Sequence, residues 1–514
     1  MADGRVARAE AHLPLGTPRL LLGVILAGAA LLRIGALTKP LYIDEIVTIT
    51  VAMQPLGTMA GVMRQIDGSP VLYPLLLHVW MAISHSDAWL RLLSAIFGWL
   101  AVAVWGDVAS RGFGWRAGLW TAAALAIAPI HIEYAQYVRS YSLFTLLVGI
   151  HVRLFMDWLD PELGYSRSRF VAFAITTAAL FYTHYLSALL IVAEGVVALA
   201  SWRRAWSRLF WWGASIALGF ILFLPGVPLL RQTMAIDRVR NLERAEPPPM
   251  TQLIPHVVSE LSVGQLSLGF TDARVRQITL GAAAIVFPGL WLLGTLGARG
   301  ARAPAWWLLS AVAWIPLLIY VGSGRRLVAV RFFLPFAMAY LAVVGLGLAQ
   351  LKRTVAIVAF ALLGVICAVP LVHFYRDYSW SYDHRRVAEA IGQRLQPGDR
   401  MLFVHPFEAF YYRWYLGDRV PMEGLVFTAL VDQPGYVMKP AAIQLVDAQP
   451  RIEAAARQAT RLWVVGQSLR SFASDANEES RVLAWMDQTY RRVDDLGALT
   501  GDDPHIRVYA VGGR

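Results

Sequence analysis

Long apolar runs recur along most of this sequence, and they constrain its fold more than any other feature. Eleven of them reach or approach the roughly 20 residues that a helix needs to cross a bilayer. They cover residues 19–37, 89–110, 117–132, 141–158, 170–184, 186–200, 209–227, 278–297, 304–322, 328–349 and 354–372. The chain is 57% hydrophobic and only 16% charged, a balance that is rare in soluble domains. We therefore expect a mainly α-helical, polytopic membrane bundle.

A twelfth apolar segment, 71–84, is short, and the distribution of basic residues decides how it is interpreted. If 71–84 does not span, the basic loops between the runs lie on the N-terminal side, including those with Arg111, Arg203 and Arg299. If it spans, those loops move outside, against the positive-inside rule. We predict about eleven spans, a long first outer loop at 38–88, and multi-pass insertion in the inner (plasma) membrane of a bacterium. Orientation of the chain in the membrane and contact with anionic lipids then explain the net charge of +11, and we expect no nucleic acid partner.

The composition changes near residue 373, where helix-like and strand-like stretches begin to alternate. Helices are predicted at 385–395 and 480–490, and strands at 401–404, 462–465 and 506–511. We predict two domains: a transmembrane catalytic domain at 1–372, with a long outer loop at 228–277, and a periplasmic α/β domain at 373–514. The second has no Gly-rich phosphate loop or clustered acid–base set, so we expect an accessory role. The single cysteine, Cys367, excludes an internal disulfide and a cysteine-based metal site.

Two adjacent carboxylates, Asp44 and Glu45, follow the first apolar run directly. One interpretation is helix capping, because acidic residues favour a helix N-terminus and an amphipathic stretch, 46–53, comes next. The alternative is a catalytic pair at the outer membrane surface. Adjacent residues on a helix do not face each other, so the pair does not suit a glycosidase, which needs two facing carboxylates.

Further polar residues gather at predicted outer boundaries. Glu133, Arg139 and Tyr141 lie in one outer loop, which fits either a ligand site or an aromatic belt with one snorkelling arginine. Arg325, Arg326 and Arg331 run against the positive-inside trend, which indicates either phosphate binding or neutralisation of lipid headgroups. His184 is read as a ligand or as a hydrogen-bonded interfacial residue, and the intramembrane Glu194 as a packing residue that needs a partner.

An ordered series of motifs resembles the GT-C glycosyltransferases. After Asp44-Glu45 it comprises 69–80 (SPVLYPLLLHVW), 88–92 (AWLRL), 137–143 (YVRSYSL), 182–185 (YTHY) and 331–335 (RFFLP). The nearest likeness is to bacterial members related to protein O-mannosyltransferases and lipid A aminoarabinose transferases. The resemblance covers about residues 20–350, and the C-terminal portion is similar to the soluble tail that some bacterial members carry.

The resemblance implies a membrane enzyme that moves a sugar from a polyprenyl-phosphate donor to a cell-envelope lipid, glycan or protein acceptor. By motif, Asp44 would be the catalytic carboxylate, Glu45 its neighbour, and Arg139 and Arg331 ligands of the donor phosphate. We add Arg325 and Arg326 to the phosphate ligands, and Glu133, Tyr141 and His184 as substrate-binding residues. One departure is Phe332, which stands where the family motif usually has tyrosine, so a hydroxyl contact is lost there.

The chemistry agrees with this assignment. A sugar phosphate leaves as an anion, which needs cations more than a proton donor. The attacking hydroxyl must lose its proton, and one carboxylate can take it. This set of one base plus cations predicts a single displacement with inversion. No cofactor is assigned, and a divalent metal stays open because the first outer loop has carboxylates but no histidine cluster.

Two other classes of function compete with the enzyme. A transporter or flippase of lipid-linked sugars would share the bundle and the arginines, but it predicts ionisable groups along a path inside the spans and repeat symmetry between halves. A receptor or assembly scaffold would use the C-terminal domain, but it gives no reason for Asp44, Arg139 and Arg331 to fall on one side of the membrane. The sequence therefore favours the enzyme.

Overall fold

The computed structural model describes residues 16–66, 69–160, 162–202, 205–243, 249–264, 272–323, 330–376, 383–404, 406–425, 445–466, 476–496 and 506–511. Contacts divide the chain into two compact units. The first unit comprises Met1–Leu37 and Ser69–Tyr378, and the second comprises Thr38–Gly68 and Ser379–Arg514. This division groups residues 38–68 with the C-terminal residues, whereas the predicted bounds group them with 1–372, and its second boundary lies at 378/379, six residues after the predicted one.

Helices dominate both units. In chain order they are α1 (Gly16–Ile34), α2 (Ile43–Ala52), α3 (Leu56–Ile66), α4 (Leu72–Met81), α5 (Asp87–Phe113), α6 (Trp115–Ile127), α7 (Pro129–Ala135), α8 (Tyr141–Leu159), α9 (Arg167–Phe181), α10 (Ser187–Ser201), α11 (Trp206–Phe223), α12 (Val227–Glu243), α13 (Met250–Val263), α14 (Ala273–Gly297), α15 (Ala303–Gly322), α16 (Leu334–Gln350), α17 (Arg353–Arg376), α18 (His384–Gly392), α19 (Pro406–Leu416), α20 (Leu445–Ala456) and α21 (Ala476–Thr489). A short 3-10 turn, Val330–Phe333, precedes α16.

The eleven predicted spans all fold as helices. Seven helical segments of the described chain are long and apolar enough to cross a membrane: Asp87–Phe113, Tyr141–Leu159, Trp206–Ala235, Ala273–Gly297, Ala303–Gly322, Arg331–Gln350 and Arg353–Arg376. The other four predicted spans correspond to helices of 13 to 19 residues, α1, α6, α9 and α10. The predicted fold class, a multi-pass helical membrane protein, is confirmed, and the count of eleven spans stays a prediction.

The first unit packs around α16, whose residues 334–348 are all buried. Glycines allow its neighbours to approach closely: a Cβ at Gly347 would overlap the Leu290 carbonyl of α14, and one at Gly345 would overlap Thr121 of α6. Small residues at helix contacts are typical of membrane bundles, where packing rather than the hydrophobic effect holds helices together. The result is a rigid frame for the loops at the helix ends.

The second unit contains a five-stranded sheet. Its strands are β1 (Asp399–Phe403), β2 (Met422–Gly424), β3 (Arg461–Val465), β4 (Arg491–Asp495) and β5 (Ile506–Ala510), in the order β2-β1-β3-β5-β4. β1 is parallel to β2 and β3, while β5 is antiparallel to β3 and β4. The three predicted strands are present as β1, β3 and β5. The two edge strands were missed, because β2 has three residues and β4 is exposed throughout, with charged residues at four of its five positions.

The helix that carries Asp44 and Glu45 belongs to the second unit. Here α2 packs against α19, the aromatic helix next to β1 and β2. Phe410, Tyr411 and Tyr412 of α19 are buried. The C-terminal residues therefore supply part of the surface on which the predicted catalytic helix lies.

Candidate active site

Glu45 caps the N-terminus of α2. The Tyr42 backbone is extended, and its N–H donates a hydrogen bond of 2.9 Å to Glu45 Oε2. Glu45 is fully buried, whereas Asp44 is half-buried. A carboxylate at the third helical position satisfies an N–H that the helix itself leaves without an intrahelical acceptor. The capping interpretation therefore holds for Glu45, and Asp44 is the carboxylate of the pair that reaches the surface of its unit.

In the first unit, α4 and α5 fix the backbone at Arg139. Tyr73 Oη and Ser94 Oγ lie 2.6 Å apart, and the Ser94 hydroxyl donates a long hydrogen bond, 3.4 Å, to the Arg139 carbonyl. Both side chains are buried. Because Ser94 has one hydrogen, the Tyr73 hydroxyl donates to Ser94. Tyr73, in the predicted motif 69–80, thus supports the backbone of Arg139, in the predicted motif 137–143, through the buried Ser94 hydroxyl.

His184 lies in the turn between α9 and α10 with a fixed tautomer. Its ring stacks on Phe144 with centroids 4.8 Å apart, and its Nδ1 accepts the Leu186 backbone N–H at 3.2 Å. Burial and the nearby charge of Arg139 lower the His184 pKa to about 4. The imidazole is therefore neutral at physiological pH, and its proton lies on Nε2. His184 is a neutral hydrogen-bond donor beside a guanidinium.

Arg331 lies in the 3-10 turn before α16, within the electrostatic reach of a buried acid. Its guanidinium carbon is 5.4 Å from the ring centroid of Phe332, and that ring is 5.7 Å from His184. Burial and the charge of Glu260 raise the pKa of Glu133 and the charge of Arg331 lowers it, and the net pKa is about 8. Two pairs of predicted site residues therefore interact electrostatically: Glu133 with Arg331, and Arg139 with His184.

Glu260 is a member of this cluster that the sequence analysis missed. It lies near the end of α13, is 3% exposed, and has a pKa raised by burial to about 7. The predicted long outer loop 228–277 contains helices, because α12 and α13 lie in its described part. The available signal was a single acid in the apolar stretch 253–263.

The remaining predicted residues have different outcomes. Tyr141 is buried in an edge-to-face cluster with Tyr134 and beside Tyr137, so packing occupies its ring, and its role in substrate binding stays a prediction. Arg325 and Arg326 lie outside the described residues. Within the described ranges no three His, Cys, Asp or Glu side chains gather to hold a metal ion, and a metal requirement stays open.

Solved structures resemble this chain over nearly its whole length. ArnT from Cupriavidus metallidurans in the apo state matches with a TM-score of 0.62 at 16% identity, covering 97% of this chain and 99% of that chain. ArnT bound to undecaprenyl phosphate gives 0.61 at 16% identity, with 98% and 99% covered. An Archaeoglobus fulgidus oligosaccharyltransferase tethered with an acceptor peptide gives 0.52 at 11% identity, with 96% and 74% covered.

Comparisons of sequence alone are less informative. No protein-family model matches the chain, and no curated protein matches it. At identities of 11–16% the structural likeness establishes a shared fold. That shared fold is the one that the ordered motif series predicted.

Proposed function

We propose that this chain, which has the fold of the GT-C glycosyltransferases, transfers a sugar from a polyprenyl-phosphate carrier to a lipid, glycan or protein acceptor at the outer face of the membrane. The observation that carries the proposal is the grouping of Arg139, His184 and Arg331 in the first unit. The charge of Arg139 acts on the neutral His184, and the Arg331 guanidinium packs over Phe332, whose ring centroid lies 5.7 Å from that of His184. These groups suit a phosphate anion, which accepts several hydrogen bonds and needs its charge balanced.

The donor half of the reaction belongs to this cluster. As the bond between the anomeric carbon and the carrier phosphate breaks, its electron pair goes to the phosphate oxygen. Arg139 and Arg331 stabilise the charge that develops there, and His184 Nε2–H donates to the same anion. A neutral histidine suits this task because it cannot lose its donor hydrogen by titration between pH 5 and 8. Undecaprenyl phosphate in an ArnT structure of the same fold supports this kind of ligand.

The acceptor half is assigned to Asp44. The acceptor hydroxyl attacks the anomeric carbon from the face opposite the phosphate, and its proton passes to the Asp44 carboxylate. The configuration therefore inverts, and the net change is one glycosidic bond formed, one glycosyl phosphate bond broken and one proton released through Asp44. Glu45 orients the start of α2 by capping it, so we assign Glu45 a positioning role.

A flippase for lipid-linked sugars is the alternative, and it predicts ionisable groups along an accessible path within the spans. The buried pair of His151 and Glu194 is the feature that bears on it. Both side chains are fully buried, and His151 is bonded on both ring nitrogens. A fully buried pair that is hydrogen-bonded between α8 and α10, and to Thr177 of α9, joins helices and does not line an accessible path, which favours the enzyme.

The test uses the purified full-length chain in lipid nanodiscs. It is incubated with a panel of radiolabelled polyprenyl-phosphate sugars together with membrane lipids, and the products are separated by chromatography. The enzyme moves label from the carrier to an acceptor for at least one donor. In proteoliposomes, movement of intact labelled donor between leaflets without any transfer would instead establish the flippase.

A further inference from the structure

The carboxylates that flank Arg331 have no role in the reaction described above. We propose, on the basis of the proposed function, that Glu133, Glu260 and Arg331 form a three-charge site. When donor binds, its phosphate replaces the carboxylates as the counter-ion of Arg331, and the carboxylate pair takes up one proton from solvent.

The three groups come from elements that pack together. α13 packs against both α7 and the 3-10 turn Val330–Phe333. The contact between α13 and α7 is close, because Gly264, with φ +85°, follows α13 directly, and a Cβ there would lie 3.1 Å from the Ile130 backbone nitrogen. Glu133 and Arg331 therefore lie on two elements that both pack against α13, the helix of Glu260.

Glu133 is buried without the hydrogen bonds that an ionised carboxylate needs. It is 1% exposed, and within the described residues neither of its carboxylate oxygens has a hydrogen-bond partner. A buried carboxylate in this condition either takes a proton or depends on a nearby positive charge. Arg331 supplies that charge, and Glu260 opposes it as a second acid.

Titration of this pair falls in the physiological range. The pKa of Glu133 is raised to about 8 by burial and by Glu260, and that of Glu260 to about 7 by burial. The empty site therefore exchanges protons between pH 7 and 8. The two acids titrate as a coupled pair, so the proton belongs to the pair rather than to either residue.

Other charged or titratable groups lie on the elements packed against this site. The described ones are Arg19 and Arg33 on α1, Asp87, Arg91, Asp107 and Arg111 on α5, Arg116 on α6, Tyr134 on α7, Tyr141, His151, Arg153 and Asp157 on α8, Asp272, Arg274 and Arg276 at the start of α14, Tyr340 on α16, and Arg353, Cys367, His373, Tyr375 and Arg376 on α17. His131, on α7 itself, is bonded to Arg33. The charges that act on the pKa of Glu133 are those of Glu260 and Arg331.

A phosphate anion at Arg331 changes the balance of these charges. It adds negative charge near the carboxylate pair and satisfies the guanidinium that had favoured the ionised form of Glu133, so the pair holds its protons more tightly. Above pH 8 the empty site has lost its protons, and donor binding must restore one. Affinity for the donor then falls as pH rises, by up to about tenfold per pH unit for one proton. Below pH 6 the pair is already protonated, and affinity is independent of pH.

The experiment measures proton uptake directly on the full-length protein in nanodiscs. The probe is farnesyl methyl phosphate, a phosphodiester with one fixed negative charge from pH 6 to 9, so its own titration does not contribute. Calorimetric titration at pH 7.5 in two buffers of different ionisation enthalpy gives the number of protons bound per probe. We expect an uptake between about one half and one proton, and an affinity that falls nearly tenfold between pH 8 and 9.

Glutamine variants distinguish proton uptake by the two carboxylates from a purely structural role. Glu133→Gln and Glu260→Gln each remove an ionisable group, so each lowers the proton uptake, and each binds the probe more tightly than the unsubstituted protein above pH 8. A packing defect would weaken binding at every pH. Glu389→Gln, at an exposed position on α18, is the control and keeps the original proton uptake.

Two negative results have different meanings. Probe binding with no proton uptake and no pH dependence would overturn the inference and leave the proposed function intact. Absence of probe binding at every pH, with a folded protein, would overturn the proposed function and this inference with it. If one glutamine variant fails to fold, the other carries the test, because both carboxylates contribute to the same uptake.

Discussion

His151 Nδ1 and Glu194 Oε1 lie 2.9 Å apart, with both side chains fully buried between α8 and α10. The other ring nitrogen, Nε2, lies 2.9 Å from Thr177 Oγ1, whose hydroxyl donates to the Phe173 carbonyl. Thr177 has no second hydrogen, so it accepts from His151 Nε2–H. The bond between His151 and Glu194 therefore contains one proton, and the intramembrane acid that the sequence showed without a partner has one.

Breaking this bond is expected to destabilise the bundle. Glu194→Leu leaves His151 Nδ1 buried without a partner, which costs about 1–3 kcal/mol. Glu194→Gln is the matched control, because its amide group can donate to Nδ1 and retains the bond. Thermal unfolding in nanodiscs measures both, and we expect a lower midpoint for the leucine variant. Equal midpoints for the leucine variant and the unsubstituted protein would contradict the role assigned to the pair.

The neutral state of His184 makes a prediction about pH. Its pKa is about 4 in the folded protein, below the ordinary value of 6.5, so the unfolded chain binds the extra proton more strongly. His184 therefore stabilises the fold fully above pH 6.5, and this contribution is lost as pH falls toward 4. His184→Phe keeps the stack on Phe144 and removes the titration. The difference in unfolding free energy between the two proteins should vary over this pH window and be constant above it.

The same variant tests the donor role of the ring. His184→Phe removes the Nε2–H that we assign to the carrier phosphate. Loss of one hydrogen bond of about 0.5–1.5 kcal/mol is expected to weaken donor binding several-fold at pH 7.5. Binding of farnesyl methyl phosphate is the measurement, and unchanged affinity would remove His184 from the phosphate site.

The buried hydroxyl pair of Tyr73 and Ser94 is expected to act through Arg139. Tyr73→Phe and Ser94→Ala each disturb the support of the Arg139 carbonyl, and a several-fold loss of donor affinity should follow. In combination with Arg139→Ala, neither change should add its full effect, because the residue that they position is already gone. Additive losses of donor affinity in this double-mutant cycle would show that the pair does not act through Arg139.

Because α2 packs against α19, we expect turnover with every acceptor to depend on the C-terminal residues. Deleting 379–514 removes the surface on which the helix of Asp44 lies, while the first unit retains Arg139, His184 and Arg331. We expect the shortened chain to bind farnesyl methyl phosphate with little change and to lose turnover with every acceptor. Selective loss of one acceptor, with turnover of others intact, would return the C-terminal unit to an accessory role.

Particular elements show what the sequence could predict. The apolar runs predicted their helices because burial in lipid and burial in protein both demand apolar residues, and β1, β3 and β5 were visible for the same reason. β4 shows no alternation because all five of its residues are exposed. The clustering of 38–68 with the C-terminal residues depends on contacts between segments more than 300 positions apart, for which local patterns contain no signal.

The site divides in a similar way. Arg139, His184 and Arg331 were visible as charges or a histidine at predicted helix ends. Glu260 was not, because a single acid in a largely apolar stretch gives no sign of its neighbours until α13 is placed against α7. The distinction between Asp44 and Glu45 also required coordinates, since the capping bond to Tyr42 N–H sets their roles apart.

Turnover of Asp44→Asn, measured beside donor binding, tests whether Asp44 is the base. The amide keeps the shape of the side chain and removes its basicity, so we expect a loss of about 10²–10⁴-fold in rate with donor affinity unchanged. Glu45→Gln is the matched control, because its amide oxygen still accepts the Tyr42 N–H, and its loss should be much smaller. An Asp44→Asn protein with near-normal turnover, or a Glu45→Gln protein that is the less active of the two, would contradict the assignment of Asp44 as the base.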